Sequence, residues 1–452
     1  MSKNPISPAI FKTYDVRGIY PEEVNEKVAY LIGRSFVVFL GKKSPRIVVA
    51  RDNRLSSPAL FKSVVKGIID QGGIAVDTGL ATTPLFYWTV AKYKYDGGIG
   101  ITASHNPPVF NGFKIVREGA DPVSGESGLK QIRDLAIEGK FEVRPKGKVI
   151  KKSSMDSYIR EAVKNSSFKA SRRLRIVIDT ANAVSGMMIP MVFKKPAWKI
   201  FHLLKKLDGH FPGHLPDPLL KENIKFLQDK VIENKADIGI AFDGDGDRIF
   251  FVDEKGEIIP ADILAAFIDS IILRGKPGEK ILYDLRSSNI IRDTVKQLHG
   301  KPVMWKCGHA LIKIKMKEDD ILFGSEVSGH YFFKDSYYFE APFSVAFTVL
   351  EEMTETGKNL SELIKPFKKY FHSGEINFKV QDKDKIMNQL VNEYQGGRLS
   401  RLDGVKIDFP DWWFNVRSSN TEPVLRLVVE AKTKAVMEEM VKEITEIINQ
   451  TI

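Results

Sequence analysis

Asp243, Asp245 and Asp247 alternate with glycines in the stretch AFDGDGDR, with an apolar run on either side. In an extended or tightly turned backbone alternate side chains point the same way, so three carboxylates converge on one point. The intervening glycines let the chain turn tightly enough to bring them together. Anions that close repel unless a cation lies among them, and a set of hard oxygens suits Mg²⁺. Three carboxylates leave octahedral places for a phosphate oxygen and water, and Arg248, next along, could meet a substrate phosphate. An EF-hand would want glycine at its sixth position, where Arg248 stands, and helices where this loop is flanked by strand-like runs.

A second reactive stretch, GITASHNPPVFNGFKI (100–115), sets Ser104, His105 and Asn106 side by side before Pro107 and Pro108. A serine hydroxyl is a poor nucleophile unless a neighbour takes its proton or a metal polarises it. Once phosphorylated, however, it would be a phosphoryl donor whose oxygen fills the open metal position. The two prolines fix local backbone angles and present the serine at small entropic cost. In isolation such a cluster would be a turn capping the next backbone segment. A hydrolase triad would want the G-x-S-x-G elbow, which this stretch lacks. The single cysteine, Cys307, excludes an internal disulfide and a cysteine-built metal site, and without an activating context it reads as a small buried side chain.

These loops must be held by a framework, and three stretches share one pattern: a β-branched strand, a polar turn, then a helix. They are RIVVARDNRLSSP (46–58), RIVIDTANAVSG (175–186) and KILYDLRSSN (280–289). A buried parallel strand is apolar on both faces and turns polar only where it leaves the sheet, so each opens an α/β domain. At 452 residues the chain exceeds one hydrophobic core. The expected fold class is therefore α/β: three tandem similar α/β domains at 1–150, 151–256 and 257–370, plus a smaller α+β domain at 371–452. The first should close through the basic linker RPKGKVIKKSS, and the second should carry helices at 155–166 and 221–235. The third should begin at the helix ADILAAFIDSII. The last reads strand, helix, strand, a loop over WWFNVRSSNTEP, strand and helix, with its helices on one face of an antiparallel sheet.

Composition narrows the partners. The net charge is +11, but the basic clusters are short and scattered among acids. That pattern fits a solvated surface or a phosphorylated metabolite and argues against nucleic acid. No apolar run reaches the roughly 18 residues a membrane span needs, and the N-terminus has no signal-like segment. A cytoplasmic protein with no membrane partner, monomer or homodimer, is expected.

TASHNPPVFNGFKI, AFDGDGDR, SEVSGH and RSSNTEP, in this order, resemble the four signature loops of the α-D-phosphohexomutase family, nearest to its bacterial phosphomannomutase/phosphoglucomutase branch. The similarity runs from FKTYDVRG through FPGHLPDP to DFPDWWFNVRSSNTEP. It implies three similar α/β domains and a smaller C-terminal domain around a central active-site cleft. It also implies an isomerase that reversibly interconverts hexose 1-phosphate and 6-phosphate, of mannose or glucose, through a hexose 1,6-bisphosphate that serves as intermediate and activator. On this resemblance Ser104 carries the phosphoryl group and binds Mg²⁺ together with Asp243, Asp245 and Asp247. Arg17, Lys114 and Arg248 supply positive charge, and Lys114 and His330 are the proton-transfer candidates. Glu326 and Ser328 would bond sugar hydroxyls, with His309 and Arg286 also facing the substrate, while Arg417, Ser419, Asn420 and Thr421 would grip the phosphate not being transferred. Ser325 stands where glycine is common, Arg286 where some relatives have lysine, and ARDNR (50–54) replaces the commoner GRDGR. Two alternatives follow. A phosphoglucosamine mutase of the same fold would more commonly carry glycine where Asn420 precedes Thr421, and a metal-dependent sugar phosphatase would release inorganic phosphate.

Overall fold

The computed structural model describes residues 6–164, 172–419 and 424–450. The backbone forms two compact units, one of Met1–Ile259, Lys313–Asp319 and Ser328–Leu363, the other of Pro260–Ile312, Asp320–Val327 and Ile364–Ile452.

The first unit holds two sheets. One has the strand order Val16–Ile19, Phe110–Arg117, Gly97–Ile101, Arg46–Arg51, Ile74–Leu80, Lys148–Lys151. Its last four strands run parallel and its first two are antiparallel additions. Ile47 and Val49, at alternate positions, share a core with Val28, Ile32 and Phe36 of the helix Glu26–Leu40 and with Leu60, Val64 and Ile68 of the helix Ser57–Asp70. These spacings, two in a strand and four in a helix, set the apolar faces. On Gly97–Ile101 the glycines have a steric reason: a Cβ on Gly98 would lie 2.5 Å from the Phe86 ring of the helix Thr83–Lys92. That helix therefore sits directly against the strand that leads into Ser104.

The second sheet is ordered Ile258–Ile259, Ile249–Asp253, Ile238–Phe242, Leu174–Asp179, Trp198–Leu203. Ile224, Leu227 and Val231 of the helix Lys221–Glu233 pack with Val177 and Val252. The aspartate loop is the turn of the antiparallel pair Ile238–Phe242 and Ile249–Asp253.

In the second unit Lys280–Asp284 lies between the parallel strands Lys301–Trp305 and Phe323–Ser325. All three stretches picked out from the sequence are thus strands with a parallel neighbour on each side. The C-terminal sheet is antiparallel, ordered Phe371–His372, Leu425–Ala431, Trp412–Ser418, Val405–Asp408, Arg398–Ser400, with Ile376–Phe378 also paired to Leu425–Ala431. Its core draws Ile386 and Leu390 from the helix Lys383–Glu393 and Ile444 and Ile448 from Lys434–Gln450.

Three expectations need correction. Lys148–Lys151, inside the expected linker, is the edge strand of the first sheet; its four residues are exposed, and such an edge needs backbone partners but no buried face. After Leu174–Asp179 comes only a 3₁₀ turn, Val184–Met187, and the short helix Ile189–Val192. Most of the expected loop WWFNVRSSNTEP is the strand Trp412–Ser418, because Phe414 and Val416 alternate into the core while Trp413, Asn415 and Arg417 face away. No described helix is long and apolar enough to cross a membrane.

Candidate functional site

The strand Gly97–Ile101 delivers the loop that carries Ser104, a buried non-glycine residue at φ 50°. A left-handed backbone there costs about 1–3 kcal/mol and persists only where neighbours enforce it. The enforcing group is Arg54. Its guanidinium is fully buried and donates to the carbonyls of Ser104 (2.7 Å), Asn106 (2.7 Å), Pro107 (2.7 Å) and Phe110 (3.1 Å), while Asp52 pairs with it at 3.1 Å. Arg17 adds a bond from Nη1 to Asn106 Oδ1 at 2.6 Å and pairs with Asp15.

Ser104 Oγ donates to Asp243 Oδ2 at 2.9 Å. This approach requires glycine at 244, since a Cβ there would lie 2.3 Å from the Ser104 carbonyl oxygen. Asp243, Asp245 and Asp247 are all buried and offer oxygens within 4.8 Å of one another. Lys114 Nζ bridges Asp245 Oδ2 (2.7 Å) and Asp247 Oδ2 (2.6 Å), and Thr83 Oγ1 donates to Asp245 at 2.6 Å. Arg248 Nε lies 3.8 Å from Asp243 Oδ2, and the backbone N–H groups of Asp247 and Arg248 point at Asp243 Oδ1, each 3.2 Å away. His330 Nε2 is 3.3 Å from Asp247 Oδ1, and its Nδ1 is 2.9 Å from Ser328 Oγ.

The electrostatics follow from burial and charge. Burial, with Asp247 and Asp245 adding repulsion, pushes the Asp243 carboxyl well above its usual range. Burial acts the same way on Asp247, but Lys114 and His330 overcome it and hold that carboxyl well below. Burial would lower the Lys114 ammonium, yet Asp245 and Asp247 hold it well above its ordinary value. Burial, reinforced by Arg248 and Arg17, depresses His105.

These residues fit a divalent metal ion. Asp245 Oδ1 is buried and accepts no hydrogen bond among the described residues, a costly state for an anionic oxygen unless a cation meets it, while Asp247 Oδ1 faces His330 Nε2 at 3.3 Å. The donors are hard oxygens, as Mg²⁺-type ions require. A second convergence, Asp247, His330 and Glu340, already has a cation, since Lys313 Nζ is 2.8 Å from Glu340 Oε2.

In the second unit, Glu326 Oε1 accepts from Gly308 N at 2.8 Å and lies 3.8 Å from Arg286 Nη2. Arg286 is clamped by Asp284 through Nη2 (2.8 Å) and Nε (3.1 Å). Cys307 is buried, and its burial raises the thiol well above the ordinary value, as a small structural side chain should behave. His309 opens the helix His309–Glu318 and is half-buried. Arg417, on Trp412–Ser418, pairs through Nη2 with Glu375 Oε1 at 2.8 Å. Ser419 follows that strand, and Asn420 and Thr421 lie outside the described residues.

Of the residues singled out from the sequence, Ser104, Lys114, Arg248, Ser328, His330 and the three aspartates gather directly in the first unit, with Arg17 one bond away through Asn106. Glu326, Arg286 and Arg417 are linked in the second through Glu375. Sequence reasoning missed Arg54, Lys313, Glu340, Glu375 and Arg426. Arg54 had a signal, a second arginine three residues after Arg51 at the end of a buried strand, but nothing in spacing alone shows that it binds a loop 50 residues on.

The whole chain has known relatives. Its segments match the phosphoglucomutase/phosphomannomutase alpha/beta/alpha domains I, II and III over residues 8–142, 156–256 and 260–370, and the C-terminal domain of that family over 375–447. A phosphomannomutase from Vibrio cholerae is 37% identical across 97% of this chain and 98% of its own. A phosphomannomutase/phosphoglucomutase from Pseudomonas syringae pv. tomato is 36% identical across 96% and 94%. Among solved structures, a phosphoglucomutase/phosphomannomutase family protein from Burkholderia thailandensis has a TM-score of 0.91 at 31% identity, covering 99% of this chain and 98% of that one.

Proposed function

The chain belongs to the α-D-phosphohexomutase family, in its phosphomannomutase/phosphoglucomutase branch, and from that premise we propose that it interconverts hexose 1-phosphate and hexose 6-phosphate by way of Ser104. Phosphorylated Ser104 gives its phosphoryl group to the free hydroxyl of a mannose or glucose monophosphate: the Oγ–P bond breaks, a sugar O–P bond forms, and a hexose 1,6-bisphosphate results. After the sugar turns end for end, Ser104 takes back the other phosphate. The observation that carries this reading is the Ser104 hydroxyl at 2.9 Å from Asp243, beside two further buried carboxylates, of which Asp245 has an oxygen that accepts no hydrogen bond among the described residues.

Each group has a task. Arg54 and Arg17 hold the serine loop in line, so that positioning supplies part of the rate. Lys114 and His330 give and take the hydroxyl proton, and Arg248 meets charge on the moving phosphoryl group. Asp243, Asp245, Asp247 and the Ser104 oxygen would hold Mg²⁺, which when bound supplies neutralisation of phosphoryl charge. Glu326, Ser328 and His309 read sugar hydroxyls, Arg286 faces the substrate, and Arg417, Ser419, Asn420 and Thr421 grip the idle phosphate. The serine, metal, sugar and phosphate loops are thereby assigned to 1–150, 151–256, 257–370 and 371–452.

The test is ³¹P NMR of the protein with Mg²⁺, a trace of glucose 1,6-bisphosphate, and mannose 1-phosphate or glucose 1-phosphate. A growing 6-phosphate resonance without inorganic phosphate is expected, and the two sugars rank its preference. Inorganic phosphate alone would make the protein a phosphatase, and a static spectrum with both sugars would overturn the reading.

A further inference from the structure

We propose that the loop 208–218, locked by His214, is a strut that sets the serine loop against the aspartate loop, and that His214 is a positioning residue for the transfer between them. The inference rests on the proposed function for the reaction that is positioned, and gives a task to the stretch FPGHLPDP (211–218).

Ser104 follows the strand Gly97–Ile101 and Asp243 follows Ile238–Phe242, and these strands belong to separate sheets, so no ladder fixes one loop against the other. The loop 208–218 touches both. At its start the Asn182 carbonyl accepts from Asp208 N (2.9 Å) and from Asn53 Nδ2 (3.0 Å), which gives the loop and the Arg54 turn one shared anchor. Gly209 packs so closely on that turn that a Cβ would lie 2.6 Å from the Asn53 carbonyl oxygen. Phe211 is buried at φ 51° and sets its ring 5.1 Å from the Arg54 guanidinium carbon. That guanidinium is the group that holds the serine loop by its carbonyls, and a desolvated cation is attracted to a ring face more strongly than an exposed one. At the other end Pro216 Cγ lies 3.1 Å from where a Cβ on Gly244 would stand, and Gly244 separates Asp243 from Asp245. Asp217, next along, adds its charge to those of Asp243 and Asp247 in stabilising the buried Arg248 guanidinium.

His214, between these two ends, ties the loop to the sheet that carries the aspartates. Its Nε2 is 2.9 Å from Asp179 Oδ2 and its Nδ1 is 2.8 Å from the Leu215 carbonyl oxygen. Both partners are acceptors and a neutral imidazole has a single donor, so the ring serves both as the doubly protonated cation. Burial works to lower the imidazolium, but the bond to Asp179 and the charge of that carboxylate outweigh it and raise it above its ordinary value. Asp179 ends the strand Leu174–Asp179, where it pairs with Ala241 of the strand that delivers Asp243. The Phe226 ring of the helix Lys221–Glu233 flanks the imidazole edge-on at 6.2 Å. A left-handed backbone at a residue as bulky as Phe211 persists only where neighbours enforce it, and the two bonds of His214, three residues on, are such a constraint. Released, the loop would take Phe211 from Arg54 and Pro216 from Gly244. Transfer in line is sensitive to such shifts, since a misplacement of about 1 Å costs on the order of 10²-fold in rate. The loss should be partial, because Thr83 N and Oγ1 also hold Asp245 from the serine side.

The experiment joins amide hydrogen exchange, read by mass spectrometry on the full chain, to steady-state kinetics of wild type, His214→Ala and His214→Gln. In His214→Ala exchange should quicken in 100–111 and 243–248 as well as in 208–218. Its kcat should fall roughly 10- to 100-fold while KM for hexose phosphate stays within about threefold of wild type, because the groups that bind substrate are untouched. His214→Gln places an amide N–H where Nε2 stands and should recover most of the loss. A histidine that only stabilised its own loop would loosen 208–218 alone, so exchange confined to that segment, or a wild-type kcat in His214→Ala, overturns the proposal. Should the alanine variant fail to fold, Phe211→Leu decides: faster exchange in 100–111 and a kcat reduced roughly five- to tenfold are expected, and wild-type values of both are fatal. If wild type interconverted no hexose phosphate, the proposed function would fall, and the exchange pattern alone would judge the strut.

Discussion

The serine and aspartate centre sets three buried carboxylates against Lys114 and Arg248, while the arginine centre gathers Arg286, Arg417 and Arg426 round Glu375 and Asp284. In each, the internal counter-ion has the sign of the ligand the centre is proposed to take. The difference is in how firmly that counter-ion is held. Lys114 is 6% exposed and bonded at 2.7 and 2.6 Å to two acids, whereas Glu375 is 27% exposed and shares longer bonds among three partners. A buried, fully paired charge is expensive to move, and a half-exposed one can exchange its partner for solvent. The first centre is therefore read as a rigid cradle and the second as an exchangeable grip.

Breaking the cradle should produce the largest effects. Ser104→Ala removes the only proposed covalent carrier, so kcat should fall by at least about 10³-fold. The loop should stay in place, since Arg54 bonds its carbonyls and not the hydroxyl; an unchanged melting temperature checks this. Wild-type turnover by the alanine variant would end the phosphoserine assignment. Chelation of divalent metal should likewise silence the enzyme until Mg²⁺ returns, and Asp245→Asn should cost roughly 10²-fold in rate with a higher Mg²⁺ requirement. If that variant saturated with Mg²⁺ at the wild-type concentration, Asp245 would not be a ligand.

The two centres also differ in how far the sequence discloses them. The cradle is built from two short contiguous loops, so alternation of Asp243, Asp245 and Asp247 and the stiffened SHNPP turn reveal it directly. The grip depends on register between separated strands. The motif points to Arg417, but Arg426 lies nine residues on and becomes its neighbour only because their two strands pair antiparallel. Glu375, between a two-residue strand and a three-residue one, carries no periodic signal at all. The three α/β openings were legible because a buried parallel strand is apolar on both faces. Lys148–Lys151 was not, because an exposed edge strand has no apolar face to announce it. WWFNVRS reads as a loop because its polar alternates, Asn415 and Arg417, are buried on a charged face that hydropathy does not register.

Weakening the grip should be milder than breaking the cradle. Arg417→Ala should raise the apparent KM for hexose phosphate roughly 10- to 100-fold, the equivalent of about 1.5–3 kcal/mol for a charge-assisted contact, with a smaller change in kcat. Steady-state kinetics at saturating Mg²⁺ separates the two. A fall in kcat at constant KM would move Arg417 from substrate binding to the chemical step and dissolve the contrast.

Another buried acid sharpens the comparison because no counter-charge meets it among the described residues. Asp269 lies fully buried on the helix Ala261–Ile272, and neither of its carboxyl oxygens has a hydrogen-bond partner among the described residues. Burial alone pushes its pKa well above the usual range, so the folded protein keeps it protonated where the unfolded chain would ionise it. A raised folded-state value means that its contribution is most favourable below the unfolded pKa, about 3.9, and is lost as pH rises toward the folded one. Asp269→Leu, close in volume and free of the buried polar group, should therefore stabilise the protein at pH 7 by about 1–3 kcal/mol, and by less at pH 4.5, with kcat and KM unchanged. Denaturant unfolding at the two pH values measures both terms. A leucine variant less stable at pH 7 would mean that the Asp269 carboxyl finds a partner in solution, as the charges of Lys114 and Arg417 do.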